Sequence, residues 1–341
     1  MRAKVTVGSV AEQWISGKVN LKPTTLARYD VALKVHVLPR WKATPLDRVE
    51  HTAVQDWVAE LSRSGQSGAS VRKSYGVLTA ILDRAVRDKR MPTNPARSIN
   101  LPALNEQRRK YLTAVQVSKL AVAAAELPTG RPRRASNAAF GQYRLVVLVL
   151  SYCGIRWSEM AALKVGRVDL IRRRLDVAQA VTEVNGGRLE WGTPKSHERR
   201  SVPIPRFLGD ELTAHLAGRT EDDLVFTAPM GGVLRNRVAR RDWFDRAVAA
   251  IGEPDLTPHE LRHTASSLAV SAGANVKAVQ RMLGHASAAM TLDRYTDLFD
   301  EDLDAVAERL DAVARSAGVS RVCPEAQFVD LDPTSRTPTP Q

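Results

Sequence analysis

Apolar positions in the first ninety residues recur at three- and four-residue intervals, and this spacing predicts four helices. A Ser9-Val10-Ala11-Glu12 capping box opens a short one that runs through Trp14. Pro23 and Thr24 precede a second, with Leu26, Tyr29 and Leu33 at core spacing. Thr52-Ala53-Val54-Gln55 caps a third, carrying Val54, Trp57 and Leu61. The fourth follows the loop SRSGQSGAS and sets Val71, Tyr75, Leu78, Leu82 and Ala85 in one stripe. Together they predict a small helical domain.

The pattern then breaks. Pro92, Pro95 and Pro102, followed by Arg108, Arg109 and Lys110, stop helices and predict an extended tether. A second domain begins where Thr113-Ala114-Val115-Gln116 caps a new helix. GQYRLVVLVLSYCGIRWSEMAAL reads as a buried helix, a break at Gly154 and another helix. RVDLIRRRLDVAQ, RLEWGTPKSHE and RRSVPIP read as short antiparallel strands, with turns at Asn185-Gly186-Gly187 and around Ser196-His197. Helices return from Phe207. Asp304 to Arg315 is amphipathic, with Val306, Leu310 and Val313 in line behind Leu303. The last twenty or so residues, with four prolines and no periodicity, are expected to be disordered.

Composition sharpens this picture. A chain of 341 residues exceeds what one core usually supports, which agrees with two domains. No apolar run is long enough to span a bilayer, and the first residues lack the apolar region of a secretory signal. Two cysteines, Cys153 and Cys323, do not make a disulfide framework and fit a reducing cytoplasm. The net charge of +13 is the strongest compositional fact and points to a polyanion, of which nucleic acid is the commonest. Residues 1–105 hold 17 Lys and Arg against 8 Asp and Glu, so the N-terminal part should share in that contact.

Residues 259–263 read HELRH, a literal match to the helical zinc motif H-E-x-x-H. Zinc would need a third ligand, and Ser266 and Ala269 stand where the extended motif has Gly and His. Arg262 would set a permanent cation beside the metal. Thr257, Pro258 and Glu260 also fit N-cap, N1 and the capping-box acid of an ordinary helix start. No metal and no cofactor are expected.

A histidine and an arginine near a helix N-terminus suit an anion better, because the dipole and free N–H groups favour negative charge there. The arginine fork matches two phosphate oxygens. Similar groups lie on turns elsewhere: Arg156 just after Gly154, Lys195 at the tip of the expected hairpin, and His285 after Gly284. Ten residues later comes Tyr295. Each has a plain alternative, since Arg156 fits a helix-surface arginine, Lys195 a solvated turn, His285 a helix cap and Tyr295 a half-buried aromatic.

In order, these residues resemble the tyrosine recombinases, the phage-integrase family of DNA strand-exchange enzymes. The resemblance rests on Arg156 in G-I-R-x-x-E, Lys195, His259-x-x-Arg262-His263, Leu283-Gly284-His285 and Tyr295, and runs from about residue 9 to about 315. It implies a mainly α fold with a small antiparallel β-sheet. Residues 1–105 would be an all-helical core-binding domain with its linker at about 91–110, and residues 111–318 an α+β catalytic domain. Residues 319–341 would be the disordered tail. The family's chemistry would make Tyr295 the nucleophile, Arg156, Arg262 and His285 phosphate ligands, Lys195 the general acid and His259 the acceptor of the tyrosine proton. His263 would be a supporting residue, and Glu159 would orient Arg156.

The same resemblance implies double-stranded DNA attachment sites as partner, a tetramer on paired sites, a directionality factor as a further candidate partner, and a place in the bacterial cytoplasm at the nucleoid. It also suggests that Leu303, Val306 and Leu310 pack on a neighbouring protomer and so gate Tyr295. The core-binding pattern starts almost at once, which is expected of a minimal integrase with simple sites. Alternatives are a Xer-like resolvase, a type IB topoisomerase-like enzyme and a non-catalytic DNA-binding regulator.

Overall fold

The computed structural model describes residues 4–19, 21–104, 110–126, 137–194, 199–285 and 303–317. Its fold is mainly α with small antiparallel sheets, and its buried apolar side chains gather in two large clusters.

The first cluster runs from Val7 to Ile99. It is built by α1 (Val7–Ser16), α2 (Pro23–Val31), α3 (Leu38–Trp41), α4 (His51–Arg63) and α5 (Gly68–Arg87). A π-helical turn, Ala32–Val37, joins α2 to α3 without a break. Val71, Leu78, Leu82 and Ala85 of the expected α5 stripe are all buried, and Tyr75 is half-buried. Burying side chains such as Leu78 and Leu82 contributes about 1.5–3 kcal/mol each. Trp41 and Trp57 meet edge to face, 6.0 Å apart.

Two helix starts differ from expectation. The cap of α1 is Thr6, whose Oγ1 accepts the Ser9 N–H at 3.3 Å, because Val7 is fully buried and draws the helix start forward. The residue before α4 is Glu50, with no side-chain cap, so Thr52 lies inside the helix.

Residues 91–102 form no helix and are pinned to the first cluster. Tyr75 donates to the Ala96 carbonyl, Asn94 to Thr79 and Asp83, and Arg72 to the Pro102 carbonyl. Gln55 exchanges two bonds with the backbone of Asn100.

The second cluster runs from Leu112 to Leu283. It contains α6 (Ala114–Glu126), α7 (Asn137–Cys153), α8 (Trp157–Met160), α9 (Arg206–Leu216), α10 (Asn236–Ala239), α11 (Asp245–Ala250), α12 (Pro258–Ser271) and α13 (Val276–Leu283). Thr113 caps α6 as expected: its Oγ1 accepts the Gln116 N–H, and its own N–H donates to Gln116 Oε1. Leu145 to Leu150 are all buried, so this stretch of α7 is apolar on every side and lies at the centre. Around it pack α6, α9 and α12.

The strands keep the hairpin expected at Asn185-Gly186-Gly187 and depart from the other. β1 (Val168–Asp169), β2 (Arg174–Val177) and β5 (Arg200–Pro203) make one antiparallel sheet in the order β1-β2-β5. β3 (Ala180–Glu183) and β4 (Leu189–Gly192) make a separate ribbon around the Asn185–Gly187 turn. β4 and β5 are therefore not partners, and the turn expected around Ser196-His197 lies outside the described residues. β5 pairs with β2, a long-range choice that no local turn signal dictates.

A last helix, α14 (Leu303–Ser316), holds Leu310 and Val313 each 64% exposed. The side chains of Leu303 and Val306, and residues 318–341, lie outside the described residues. Among the described residues no helix is long and apolar enough to cross a membrane.

Candidate active site

The turn after α7 depends on Gly154, whose φ of +63° suits a residue without a side chain. A Cβ there would stand 2.9 Å from Leu283 Cδ2 and 3.1 Å from Ala265 Cβ. This close approach seats the start of α8 against α12 and the end of α13. Arg156 is the residue before α8, and Glu159 lies in its first turn. Glu159 Oε2 accepts the Arg156 backbone N–H, and Oε1 accepts Arg156 Nη1, both at 2.8 Å.

Arg200, at the start of β5, grips the same carboxylate. Its Nη1 and Nη2 donate to Glu159 Oε1 and Oε2 at 2.9 and 2.6 Å, and its Nε donates to the Met282 carbonyl at 3.0 Å. Burial by itself pushes the Glu159 carboxyl up, but the bonds and charge of Arg200, with those of Arg156, bring it down to about 2. The carboxylate is thus a fixed negative charge between two guanidinium groups.

α12 begins as its sequence predicts. Thr257 is the N-cap and Pro258 the first helical residue, and Glu260 accepts the Thr257 N–H at 2.6 Å. Glu260 therefore serves the helix start. Thr264, one turn on, accepts the Leu112 N–H at 3.1 Å and donates to the Glu260 carbonyl at 3.0 Å, which ties the entry to the second cluster onto this helix. Arg262 is buried, and its two terminal nitrogens donate to the carbonyls of Gly154 (2.6 Å) and Leu283. Those bonds fix the plane of the guanidinium. His259 is exposed and His263 buried, with ring centres 5.0 Å apart at 81°.

α13 ends at Gly284, left-handed at φ 64°, which turns the chain to place His285. His285 is buried, its N–H donates to the Gln280 carbonyl, and Gln280 Nε2 donates back to the His285 carbonyl at 3.0 Å.

The contacts close into one circuit: Arg156 to Glu159, Glu159 to Arg200, Arg200 to Met282, and Leu283 through Arg262 back to Gly154. Arg156, Arg262 and the His285 turn, far apart in the chain, are thereby held in one place. His259 joins them through α12. Lys195 and Tyr295 lie outside the described residues. The residue before Lys195 is described, and the Pro194 carbonyl accepts Lys22 Nζ at 3.2 Å, a bond between the two clusters.

Sequence reasoning missed Arg200 and Gln280. The available signal for Arg200 was the alternation of β5, which puts it on the inward face with Val202 and Ile204, where a charge must be paired.

A family model described as the phage integrase family matches residues 110–302, and one described as the phage integrase N-terminal SAM-like domain matches residues 6–62. The integrase of Mycobacterium phage FRAT1 is 27% identical over 297 residues, covering 84% of this chain and 83% of that one. Tyrosine recombinase XerC of Mycobacterium bovis is 28% identical over 275 residues, covering 79% of this chain and 85% of that one. Among solved structures, the Tn1549 transposon integrase in complex with a circular intermediate DNA is similar in fold at a TM-score of 0.73 and 19% identity, covering 89% of this chain and 100% of that one. The first family match spans the whole arginine circuit, and the chain belongs to the phage integrase family of tyrosine recombinases.

Proposed function

We infer that the protein is a site-specific DNA recombinase that cleaves and rejoins DNA strands through a covalent phosphotyrosyl link. The observation that carries this reading is the circuit that preorganises Arg156 and Arg262 beside His285. Attack on a phosphodiester gathers negative charge on the equatorial oxygens, and fixed cations stabilise it without reorganising as it forms. Arginine offers two donors in one plane, which lysine does not.

In this reading Tyr295 Oη attacks phosphorus, its proton passing to His259. The P–O5′ bond breaks, Lys195 gives the leaving oxygen its proton, and a 3′-phosphotyrosyl link and a free 5′-hydroxyl remain. A phenol ionises near pH ~10, well below an aliphatic alcohol, which suits it to the role. The link keeps the bond energy, so the partner strand's 5′-hydroxyl reverses the steps without a nucleotide. The first cluster would form the core-binding domain and the second the catalytic domain, closing on duplex DNA.

Exchange between two duplexes cuts four strands, and one nucleophile per chain then calls for four protomers. The exposed Leu310 and Val313 on α14 support contact between them. Leu310→Asp is expected to abolish synapsis of two DNA sites while leaving binding to one site intact, read by gel shift. Action on DNA places the protein in the cytoplasm, at the nucleoid. A directionality factor would shift insertion against excision, which is tested by asking whether the purified chain performs both.

Recombination of two unlike attachment sites identifies an integrase; recombination of two identical sites identifies a resolvase, and relaxation without exchange a topoisomerase. DNA retarded in a gel with no covalent adduct would leave only a binding protein.

A further inference from the structure

Arg200 is an unusual residue for its position. Along β5 it alternates inward with Val202 and Ile204, both buried, while Arg199 and Ser201 face out. A guanidinium on the inner face must find its partners within the protein. Its side chain is 8% exposed, and that of its partner Glu159 0%. All three kinds of guanidinium nitrogen are used, two on the Glu159 carboxylate and one on the Met282 carbonyl. The aliphatic stem is held as well: a Cβ at Gly284 would stand 3.0 Å from Arg200 Cδ. One side chain, carried on the strand that follows the Lys195 segment, therefore touches Glu159 beside Arg156 and the end of α13 that delivers His285.

We propose that Arg200 is a positioning residue for strand transfer, which aims the Arg156 guanidinium through Glu159 and seats His285 through the Met282 carbonyl. This rests on the reading of Arg156 and His285 as phosphate ligands. Glu159 offers both oxygens to Arg156 as well as to Arg200, so the two guanidinium groups share one hinge. Without Arg200, the carboxylate answers Arg156 alone and is free to rotate with it. A misplacement of about 1 Å at the reacting centre costs roughly a hundredfold in rate. Lysine keeps the charge but cannot reach three acceptors in a plane.

The test uses the full chain on a nicked suicide DNA substrate, measuring the single-turnover cleavage rate at saturating DNA, DNA affinity by gel shift, and melting temperature. The variants are Arg200→Lys, Arg200→Met and the double variant E159Q/R200M, which removes the buried charges together. Arg200→Met and the double variant are expected to cleave about a hundredfold slower, and Arg200→Lys about tenfold slower, with DNA affinity held within about threefold. The double variant is expected to melt closer to the unmodified protein than Arg200→Met while cleaving as slowly. An unmodified cleavage rate in any folded variant overturns the proposal. So does a loss of affinity that matches the loss of rate, since that would make Arg200 a general support. If the unmodified chain forms no adduct, the phosphate-site reading fails and the positioning role falls with it, a result distinct from fast cleavage by the variants.

Discussion

Arg199 and Arg200 stand side by side on the chain, and each holds a carboxylate with two nitrogens, yet one works in water and the other in the core. Arg199 meets both oxygens of Asp176 at 2.6 Å with its side chain 67% exposed, and Arg167 joins the same carboxylate. Arg200 meets both oxygens of Glu159 at nearly the same distances with its side chain 8% exposed. Outside, hydration and salt screen the attraction, and the pair adds little. Inside, both ions have given up their water, so removing Arg200 leaves a buried carboxylate with Arg156 as its one remaining guanidinium partner among the described residues. Similar geometry thus has opposite consequences, and the pleat of the strand decides which arginine has which.

The largest expected effect sets the two directly against each other. Arg200→Met should lower the unfolding free energy by about 3 kcal/mol, the low end for a broken buried pair because Arg156 still meets the carboxylate. Arg199→Met should leave the urea midpoint unchanged within error. Equal losses at the two positions would break the comparison.

The second effect is in acid. Glu159 is held at about 2 against an ordinary value of 4.5, so its contribution is whole above pH 4.5 and is lost as pH falls towards 2. About 3 kcal/mol should go in that window, at about 1.4 kcal/mol for each pH step between the two values. Acid titrations of the unmodified protein and Glu159→Gln should converge there. Parallel curves down to pH 2 would deny the carboxylate its buried, ionised state.

A smaller effect is expected at Gly284. Gly284→Ala puts a side chain at φ 64° and 3.0 Å from Arg200 Cδ, and should cost about 1–2 kcal/mol for the left-handed backbone alone. Cleavage should slow with it, because the same backbone places His285. Unchanged stability and cleavage would mean that this turn yields freely.

Much of this was legible in the sequence, and what was missed has a common physical cause. Arg156, Arg262 and His285 announce themselves through local devices: a glycine break after α7, a Thr-Pro-x-Glu helix start and a Gly-His exit from α13. The fold class follows from the same helical periods and short strands. What the sequence hid depends on distant partners. Arg200 looks like one more basic residue until β5 is paired with β2, which fixes its inward face. The supposed hairpin around Ser196-His197 rested on turn chemistry, whereas β4 and β5 belong to different sheets. The α1 cap moved from Ser9 to Thr6 because the core claims Val7, a tertiary demand that outweighs a local motif. Lys195 and Tyr295, to which the proposed chemistry gives the general acid and the nucleophile, lie outside the described residues, and those roles rest on the family resemblance.

The central claim is that Tyr295 severs a DNA strand among the cations that this circuit aligns, and one experiment meets it head-on. The unmodified chain and Tyr295→Phe are incubated with nicked suicide DNA, with and without EDTA, and resolved in SDS. A protein–DNA adduct from the unmodified chain, indifferent to EDTA and absent from Tyr295→Phe, is the predicted result. An adduct that persists in Tyr295→Phe, or strand cleavage that EDTA abolishes, would contradict it.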